Sequence, residues 1–236
     1  QHFMQWGTPQ DLDEFNYWFE TFKMTKSKKN KKVAKTGSTI IPMAGMGKRF
    51  SDEGYLSPKP LIDVSGSPMF VQATQSLPDT ENHIFVTRSD LPNLDSIKTI
   101  SKKIFPSSEV IVLDKITDGQ ARTVSVGVDK LREINKNIGS ITVGTCDSGF
   151  IYDEKKLQNL VDIEKKDLIV WVIKGYKSAL ENPKMYGWVS ADKNKNIKSI
   201  AVKEILNNPK DDYVITGAFT FASLDIMENC LDSLFK

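Results

Sequence analysis

The sequence has few cysteines and histidines, and their spacing is not that of a metal site. Its two cysteines, Cys146 and Cys230, lie far apart and form no CxxC pair. Neither structural zinc nor a disulfide framework is therefore indicated. The chain also lacks an apolar run of about 18 residues, the length that spans a bilayer, and the residue pattern of a signal peptide. These absences predict a cytoplasmic protein with no membrane partner.

Charge of one sign is not in excess either. The 32 Lys and Arg residues against 30 Asp and Glu residues leave a formal net charge of +2. No field of one sign therefore marks the chain as a binder of nucleic-acid polymers. A length of 236 residues with 39% hydrophobic residues is enough for the core of one large α/β domain.

Composition divides the chain into three segments. Residues 1–24 contain a helix start at Thr8 and Pro9, followed by aromatic residues at helical spacing, which predicts a helical appendage. Residues 25–37 are rich in Lys, Ser and Asn and almost without apolar residues, which predicts a linker. Its lysines are a solvated tether or a site for anionic partners. Residues 38–236 are predicted to form the catalytic domain.

Short apolar runs alternate with helical patterns throughout this third segment. Strands are predicted at 39–43, 84–87, 110–113, 141–145, 168–173 and 214–221, and helices at 69–76, 95–104, 119–133 and 154–164. Strands separated by helices require crossover connections. The pattern therefore predicts an α/β fold of three α/β/α layers, with a mixed, mainly parallel, Rossmann-like sheet.

A glycine-rich loop follows the first predicted strand. The segment reads STIIPMAGMGKRF at 38–50, and SPKPLID follows at 57–63. Without side chains at Gly45 and Gly47, backbone N–H groups can approach a polyphosphate closely. Lys48, Arg49 and Lys59 bring cations to the same place. The pattern therefore indicates a phosphate-binding loop.

Two better-known glycine motifs do not fit this loop. A P-loop requires Ser or Thr at the position of Arg49 and Gly at the position of Pro42. A dinucleotide fingerprint requires a third glycine at the position of Phe50. Both motifs are therefore excluded.

The loop instead resembles the G-x-G-x-R…P-K-P signature of sugar-nucleotide pyrophosphorylases, which are nucleotidyltransferases of the GT-A-like fold. The matching residues are Gly45, Gly47, Arg49, Pro58, Lys59 and Pro60. The resemblance covers most of residues 38–221 and is closest to the branch found in capsule gene clusters. It implies transfer of a nucleoside monophosphate, with a pyrimidine favoured, from a nucleoside triphosphate to a sugar 1-phosphate for surface polysaccharide synthesis. It also implies Mg²⁺ as cofactor and release of pyrophosphate.

The same resemblance implies a nucleotide site around this loop. Arg49 is expected to contact the triphosphate and Lys59 to stabilise the reacting phosphates, next to the backbone at Ala44. Lys48 stands where the family commonly has Ser or Thr. The segment TDGQARTV at 117–124 resembles the loop that holds the base. In this loop we expect Asp118 and Gly119 to bind the nucleotide, unless they form only a turn and a helix start. Asp114, just upstream of the loop, is expected to contact the edge of a pyrimidine base.

A metal site is expected where the strand of segment 141–149, ITVGTCDSG, ends in Asp147. The resemblance makes Asp147 the Mg²⁺ ligand, and Mg²⁺ prefers hard oxygen ligands while it bridges phosphates. Many relatives place a second acid after the strand at 215–221, but Ala222 occupies that position. Either phosphates and water complete the metal shell, or Asp225 reaches in from the next turn.

The acceptor site is expected in the second half of the domain. Tyr186 and Gly187 resemble the segment that faces the acceptor, and Gly217 resembles the glycine that lets the acceptor approach the sheet. Lys203 resembles a lysine that grips the acceptor phosphate, although its order with Glu204 is reversed and a surface charge pair stays an alternative. Arg49, Lys59 and Lys203 would spread the developing charge as a phosphate oxygen attacks the α-phosphorus. A phosphate dianion needs no general base.

The beginning of the chain, QHFMQWGTPQDL at 1–12, resembles the closing segment of the same family. We therefore expect an excerpt that joins the tail of one nucleotidyltransferase unit to the start of another, with a C-terminally truncated domain. The aromatic helix would dock on the following domain or on a neighbouring chain, as in a homo-oligomer or a tandem arrangement. Two other functions stay open. They are a cytidylyltransferase for a non-sugar phosphate, such as phosphocholine or a phospho-amino acid, and a catalytically silent nucleotide-binding domain.

Overall fold

A computed structural model describes residues 37–134 and 138–236, together with Thr8, Pro9, Leu12, Asn16, Trp18 and Phe19. The predicted linker at 25–37 lies almost entirely outside the described residues, as does most of the predicted appendage at 1–24. Within that appendage the backbone N–H of Leu12 donates to the carbonyl of Thr8 over 3.1 Å, as in a helical turn. Among the described residues, no helix has the length and apolar character needed to cross a membrane.

Within the described residues, the central sheet has eight strands. They are β1 (Ser38–Pro42), β4 (Asn82–Arg88), β5 (Ser108–Leu113), β6 (Ile141–Val143), β7 (Leu168–Ile173), β8 (Gly187–Ala191), β9 (Ile197–Val202) and β10 (Tyr213–Phe221), while β2 (Asp63–Val64) and β3 (Ser67–Pro68) form a small hairpin. The sheet order is β5-β4-β1-β6-β10-β8-β9, with β7 also paired to β10. Strands β5, β4, β1 and β6 are mutually parallel, whereas β10 is antiparallel to β6, β7 and β8. This is the predicted mixed α/β sheet.

Helices cover both faces of the sheet. They are α1 (Lys48–Asp52), α2 (Met69–Gln75), α3 (Leu94–Ile104), α4 (Gln120–Ile134), α5 (Glu154–Gln158), α6 (Lys177–Glu181) and α7 (Leu224–Phe235), with short 3₁₀ segments at Lys59–Leu61 and Pro183–Met185 and a π-helical turn at Asn159–Ile163. Successive side chains of β1 point into two different core layers, one on each face of the sheet. Ile41 packs in one cluster with residues of α2 and α3, and Ile40 packs in the other with residues of α4 and α7. The alternation of side chains along a strand thus produces the three layers.

The sheet places the functional loops on one edge. The parallel strands β1, β4, β5 and β6 end there, so that the segments after Pro42, Arg88, Leu113 and Val143 lie side by side. The long strand β10 runs in the opposite direction, and its first half extends along the same edge, because Phe219 pairs with Val143. Ligand sites of open α/β sheets form at this carboxyl edge.

Candidate active site

The glycine loop leaves β1 in a conformation that depends on one glycine in particular. Met43 donates its backbone N–H to the carbonyl of Val86 over 2.8 Å, which keeps the start of the loop on β4. Gly47 then adopts a left-handed conformation, with φ of 63°, and precedes α1. A Cβ at Gly47 would lie 3.1 Å from the Cβ of Lys59, whereas a Cβ at Gly45 would meet no atom within 4 Å. Gly47 therefore allows close packing, and Gly45 borders open space.

The Pro-Lys-Pro segment directs Lys59 toward the end of β6. Pro60 is the second residue of a short 3₁₀ turn that begins at Lys59, and the backbone N–H of Leu61 donates to the carbonyl of Pro58 over 2.8 Å. From this stiff turn, Nζ of Lys59 donates to Oδ2 of Asp147 in a salt bridge. The Lys59 side chain is 26% exposed and that of Asp147 is 37% exposed, so both groups remain accessible to a ligand. Two residues that the sequence analysis assigned to phosphate and metal are thus in direct contact.

Arg49 lies on the exposed surface of α1, and its charge acts on Tyr186. Burial raises the pKa of Tyr186, and the neighbouring Tyr176 raises it further, whereas the positive charge of Arg49 lowers it. The charge of Arg49 is therefore close enough to act on the Tyr186 hydroxyl. Lys48 is also exposed on α1. The two cations therefore border solvent.

The predicted base loop follows β5 at the same edge. Asp114 is exposed directly after Leu113, and Asp118 is exposed ahead of α4. Gly119 has a φ of 91° and donates its N–H to the carbonyl of Thr117 over 2.9 Å, so that a tight turn starts the helix. The loop lies at the carboxyl edge of the sheet, and it has the turn that a helix start requires.

Asp147 has the surroundings of a ligand for a metal that arrives with its substrate. It is partly exposed after β6, and its carboxylate is charge-paired with Lys59. Among the residues that the structure describes, no group of three or more His, Cys, Asp or Glu side chains could enclose a metal ion. Mg²⁺ is commonly held by one or two carboxylates together with substrate phosphates and water. The donors at Asp147 therefore fit Mg²⁺ bound to a nucleotide.

The structure does not bring Asp225 to this site. Strand β10 is antiparallel to β6, and its last residue, Phe221, pairs with Ile141 at the start of β6. Asp225 lies in the first turn of α7, immediately after that end of β10. It is consequently at the amino edge of the parallel strands, opposite to Asp147. The prediction that Asp225 completes the metal shell is wrong on this geometry.

The predicted acceptor residues gather around the start of β8. Lys203, at the end of β9, donates its backbone N–H to the carbonyl of Tyr186 over 2.9 Å and has a φ of 59°. A Cβ at Gly187 would lie 3.0 Å from Cδ1 of Ile215, so β8 and β10 approach closely there. Gly217, with a φ of 86°, lies against Thr145, two residues before Asp147. Tyr186, Gly187, Lys203 and Gly217 therefore belong to one side of the same edge.

A cavity of about 1080 Å³ opens beside Asp147. Its walls come from the loop after β6, α5, β7, the start of β10 and two residues of the N-terminal segment, and its aromatic lining residues are Trp18, Phe150, Tyr152, Trp171, Tyr176 and Tyr186. Burial raises the pKa of Tyr152 far above its ordinary value, and the charges of Glu154 and Asp79 raise it further. The cavity is large enough for a small organic ligand.

Sequence reasoning missed two parts of this edge. One is the aromatic wall of the cavity, because Phe150, Tyr152 and Trp171 have no motif that separates them from core residues. The other is Arg88, a buried cation at the end of β4 whose guanidinium contacts the glycine loop. Only the tertiary structure brings Arg88 to the loop, 44 positions earlier in the chain.

Comparison with known proteins supports the fold. No protein-family profile matches the sequence, and no curated protein matches it. A nucleoside-diphosphate-sugar pyrophosphorylase from Vibrio cholerae RC9 superposes with a TM-score of 0.64 at 20% identity, over 84% of this chain and 79% of that one. A Bacillus anthracis protein named as a glucose-1-phosphate thymidylyltransferase, in complex with sucrose, gives 0.64 at 20% identity over 82% and 74%.

A third similar structure has a different kind of acceptor in its name. The inositol-1-phosphate CTP transferase of T. maritima gives a TM-score of 0.61 at 18% identity, over 80% of this chain and 71% of that one. At identities of 18% to 20% these likenesses establish the fold. The chain therefore has the mixed α/β fold of these nucleotidyltransferase structures.

Proposed function

We propose that the chain is a nucleotidyltransferase of the NTP:phosphometabolite type, acting in the cytoplasm on a nucleoside triphosphate and a sugar 1-phosphate. The contact between Lys59 and Asp147 carries the proposal. It joins the loop suited to phosphates to the carboxylate suited to a nucleotide-bound metal. The names of the structurally similar proteins, a sugar pyrophosphorylase, a thymidylyltransferase and a CTP transferase, agree with this reaction class.

The glycine loop and its cations would hold the triphosphate. Gly45 borders open space, so phosphate oxygens can approach the backbone N–H groups there. Arg49 would bind the departing pyrophosphate, and Lys59 would stay with the reacting α-phosphate. Asp147 would hold Mg²⁺, which supplies neutralisation of phosphate charge when it is bound. Asp114, Asp118 and Gly119 would contact the base, for which we favour a pyrimidine.

The acceptor would enter from the side of β8 and the cavity. Its phosphate would lie between Lys203 and the α-phosphate, and Gly217 would leave room for it next to Thr145. A phosphate oxygen would form the new bond to the α-phosphorus while the bond to pyrophosphate breaks. Lys59 and Lys203 would balance the charge that develops, and no side chain needs to accept a proton. The remainder of the acceptor would occupy the cavity along Tyr186.

One specific observation favours a second candidate function. Several aromatic side chains line the cavity, and aromatic faces bind quaternary ammonium groups as well as sugar rings. A cytidylyltransferase for phosphocholine or for a phospho-amino acid would use the same phosphate chemistry with a different acceptor pocket. For a sugar 1-phosphate, the same walls would stack on the ring. Synthesis of a surface polysaccharide precursor remains our choice of pathway because of the resemblance to the capsule branch.

Pyrophosphate release tests the proposal. CTP, UTP, dTTP, ATP and GTP would each be incubated with Mg²⁺ and with sugar 1-phosphates, inositol 1-phosphate, phosphocholine and phospho-amino acids. We expect release with one pairing, its loss in Asp147→Ala, and full release in the control Asp95→Ala, whose side chain is fully exposed on α3. Nucleotide binding without any release would instead identify a catalytically silent domain. Release that persists in Asp147→Ala would reject the site.

A further inference from the structure

Arg88 is a charged residue in an unusual position. It is the last residue of β4 and is only 5% exposed. A buried guanidinium is costly unless it is paired, because burial removes it from water. Its Nε donates to Oδ1 of Asp90 over 2.8 Å, while the Asp90 side chain is 68% exposed. Asp90 therefore holds the guanidinium from the solvent side.

The other side of the guanidinium meets the glycine loop. Nη1 of Arg88 lies 3.5 Å from the carbonyl oxygen of Ala44 and also contacts Sδ of Met46. These two residues flank Gly45, the position that borders open space. The planar guanidinium thus contacts the loop backbone before Gly45 and the Met46 side chain after it, on both sides of the point where a phosphate can approach.

Strand β4 places Arg88 between the two segments that we assign to the nucleotide. On one side β4 pairs with β1, which leads into the glycine loop. On the other side Arg88 pairs with Leu113, and the backbone N–H of Ser89 donates to the carbonyl of Leu113 over 2.8 Å. Asp114 follows directly. A change at Arg88 is therefore transmitted first to nucleotide contacts.

We propose that Arg88 is a positioning residue for the nucleoside triphosphate, and this inference rests on the proposed function. It keeps the backbone from Ala44 to Met46 in the conformation that presents N–H groups to phosphate oxygens. Its charge also makes the loop more attractive to an anion, because charges interact more strongly where water is excluded. Lysine is a poor substitute, because an ammonium lacks the rigid fork that contacts the loop and Asp90 together.

Two substitutions separate shape from charge. Arg88→Met keeps an extended side chain without charge, and Arg88→Lys keeps the charge without the fork. By calorimetry with Mg²⁺, we expect Arg88→Met to raise the Kd of the nucleoside triphosphate about tenfold or more, with Arg88→Lys in between. The control Arg132→Met removes an exposed arginine in the last turn of α4 that is paired with Asp129 and with Glu228 of α7, and it should leave this Kd unchanged.

A purely structural role would affect both substrates alike. In the pyrophosphate assay, we expect Arg88→Met to raise the KM of the nucleotide while the KM of the acceptor stays within about twofold. Thermal unfolding shows whether Arg88→Met folds. If it does not, the KM values of nucleotide and acceptor are compared in Arg88→Lys and Asp90→Asn instead. Equal nucleotide affinity in the wild type and the variants, or an equal rise in both KM values, would overturn the inference alone. A wild type that binds no nucleotide would reject the proposed function itself.

Discussion

Lys59 and Asp147 form a salt bridge although 88 positions of sequence separate them. Lys59 comes from the turn after α1, and Asp147 follows the strand next to β1 in the sheet. The cation and the carboxylate therefore meet at the carboxyl edge of the parallel strands. A preorganised pair needs little rearrangement when phosphates and a metal arrive.

Replacement of Lys59 by methionine should strongly impair the reaction. The variant loses a cation at the point where charge develops, and loss of one such donor typically costs about 10²–10³-fold in kcat. The turnover number at saturating substrates measures the effect. The matched control is Lys130→Met, which removes a partly exposed lysine paired with Glu133 over 2.9 Å on α4. A variant with wild-type turnover would show that Lys59 only supports the fold.

The two glycines of the loop should respond differently to alanine. At Gly45 a Cβ meets no atom within 4 Å, so Gly45→Ala should fold normally and bind the nucleoside triphosphate more weakly. At Gly47 the φ of 63° and the 3.1 Å approach to Lys59 disfavour a side chain. Gly47→Ala should lose about 1 kcal/mol of stability or more. Urea unfolding and nucleotide titration distinguish the two, and equal stability losses would contradict this assignment.

The sequence predicted the strands that contain the clearest apolar runs, whereas β8 was missed although Trp188 and Val189 within it are buried. Ile40, Ile84 and Ile141 are wholly buried, and the apolar runs that contain them marked β1, β4 and β6 correctly. Strand β9 was missed because only Ala201 within it is even partly buried, so no alternation of apolar and polar residues was visible. The turn between β8 and β9 nevertheless has a signal in the sequence, because Asp192 accepts hydrogen bonds from the backbone N–H groups of Asn194 and Asn196.

Local sequence could not determine which edge of the sheet each residue occupies. Asp225 follows a strand, as Asp147 does, and only the antiparallel direction of β10 places the two at opposite edges. Helix α7 was also missed, although Leu224, Met227 and Leu231 have helical spacing and pack on the core. That signal was present in the sequence. The contact of Arg88 with the loop had no local signal at all.

The pH dependence of stability should report on the cavity. Burial raises the pKa of Tyr152 above its ordinary value of 10.0, so the unfolded chain loses this proton first as the pH rises. The contribution of Tyr152 to stability is therefore intact below about pH 10 and falls above it. In Tyr152→Phe, the free energy of unfolding should fall less steeply above that pH than in the wild type.

Tyr213 provides a control of opposite sign for this experiment. Its hydroxyl accepts a hydrogen bond from Nζ of Lys195 over 2.6 Å, which lowers the pKa of Tyr213. Tyr213 therefore ionises at a lower pH in the folded protein than in the unfolded chain. Its contribution to the free energy of unfolding grows as the pH rises towards 10. Tyr213→Phe should accordingly make the alkaline loss of stability steeper. Urea unfolding from pH 8 upward measures both variants, and identical slopes for the two would refute the burial argument.

Trp18 should affect the acceptor more than the nucleotide. Its side chain and Asn16 line the cavity beside Asp147, although both precede the catalytic domain in sequence. Trp18→Ala removes part of one wall, so acceptor atoms in the cavity lose contacts while the glycine loop is untouched. We expect the KM of the acceptor to rise about three- to tenfold, which corresponds to about 1 kcal/mol. The KM of the nucleoside triphosphate should stay the same.

The control for Trp18 comes from the same segment. Leu12 is 47% exposed and does not line the cavity, so Leu12→Ala should leave both KM values unchanged. An equal effect of Leu12→Ala and Trp18→Ala would mean that the segment acts through stability alone. No effect of Trp18→Ala would remove the N-terminal segment from the acceptor site. A selective rise in the acceptor KM would make that segment part of the site. A residue in the wall of the cavity contacts the acceptor but not the nucleotide, so its loss changes only the acceptor KM.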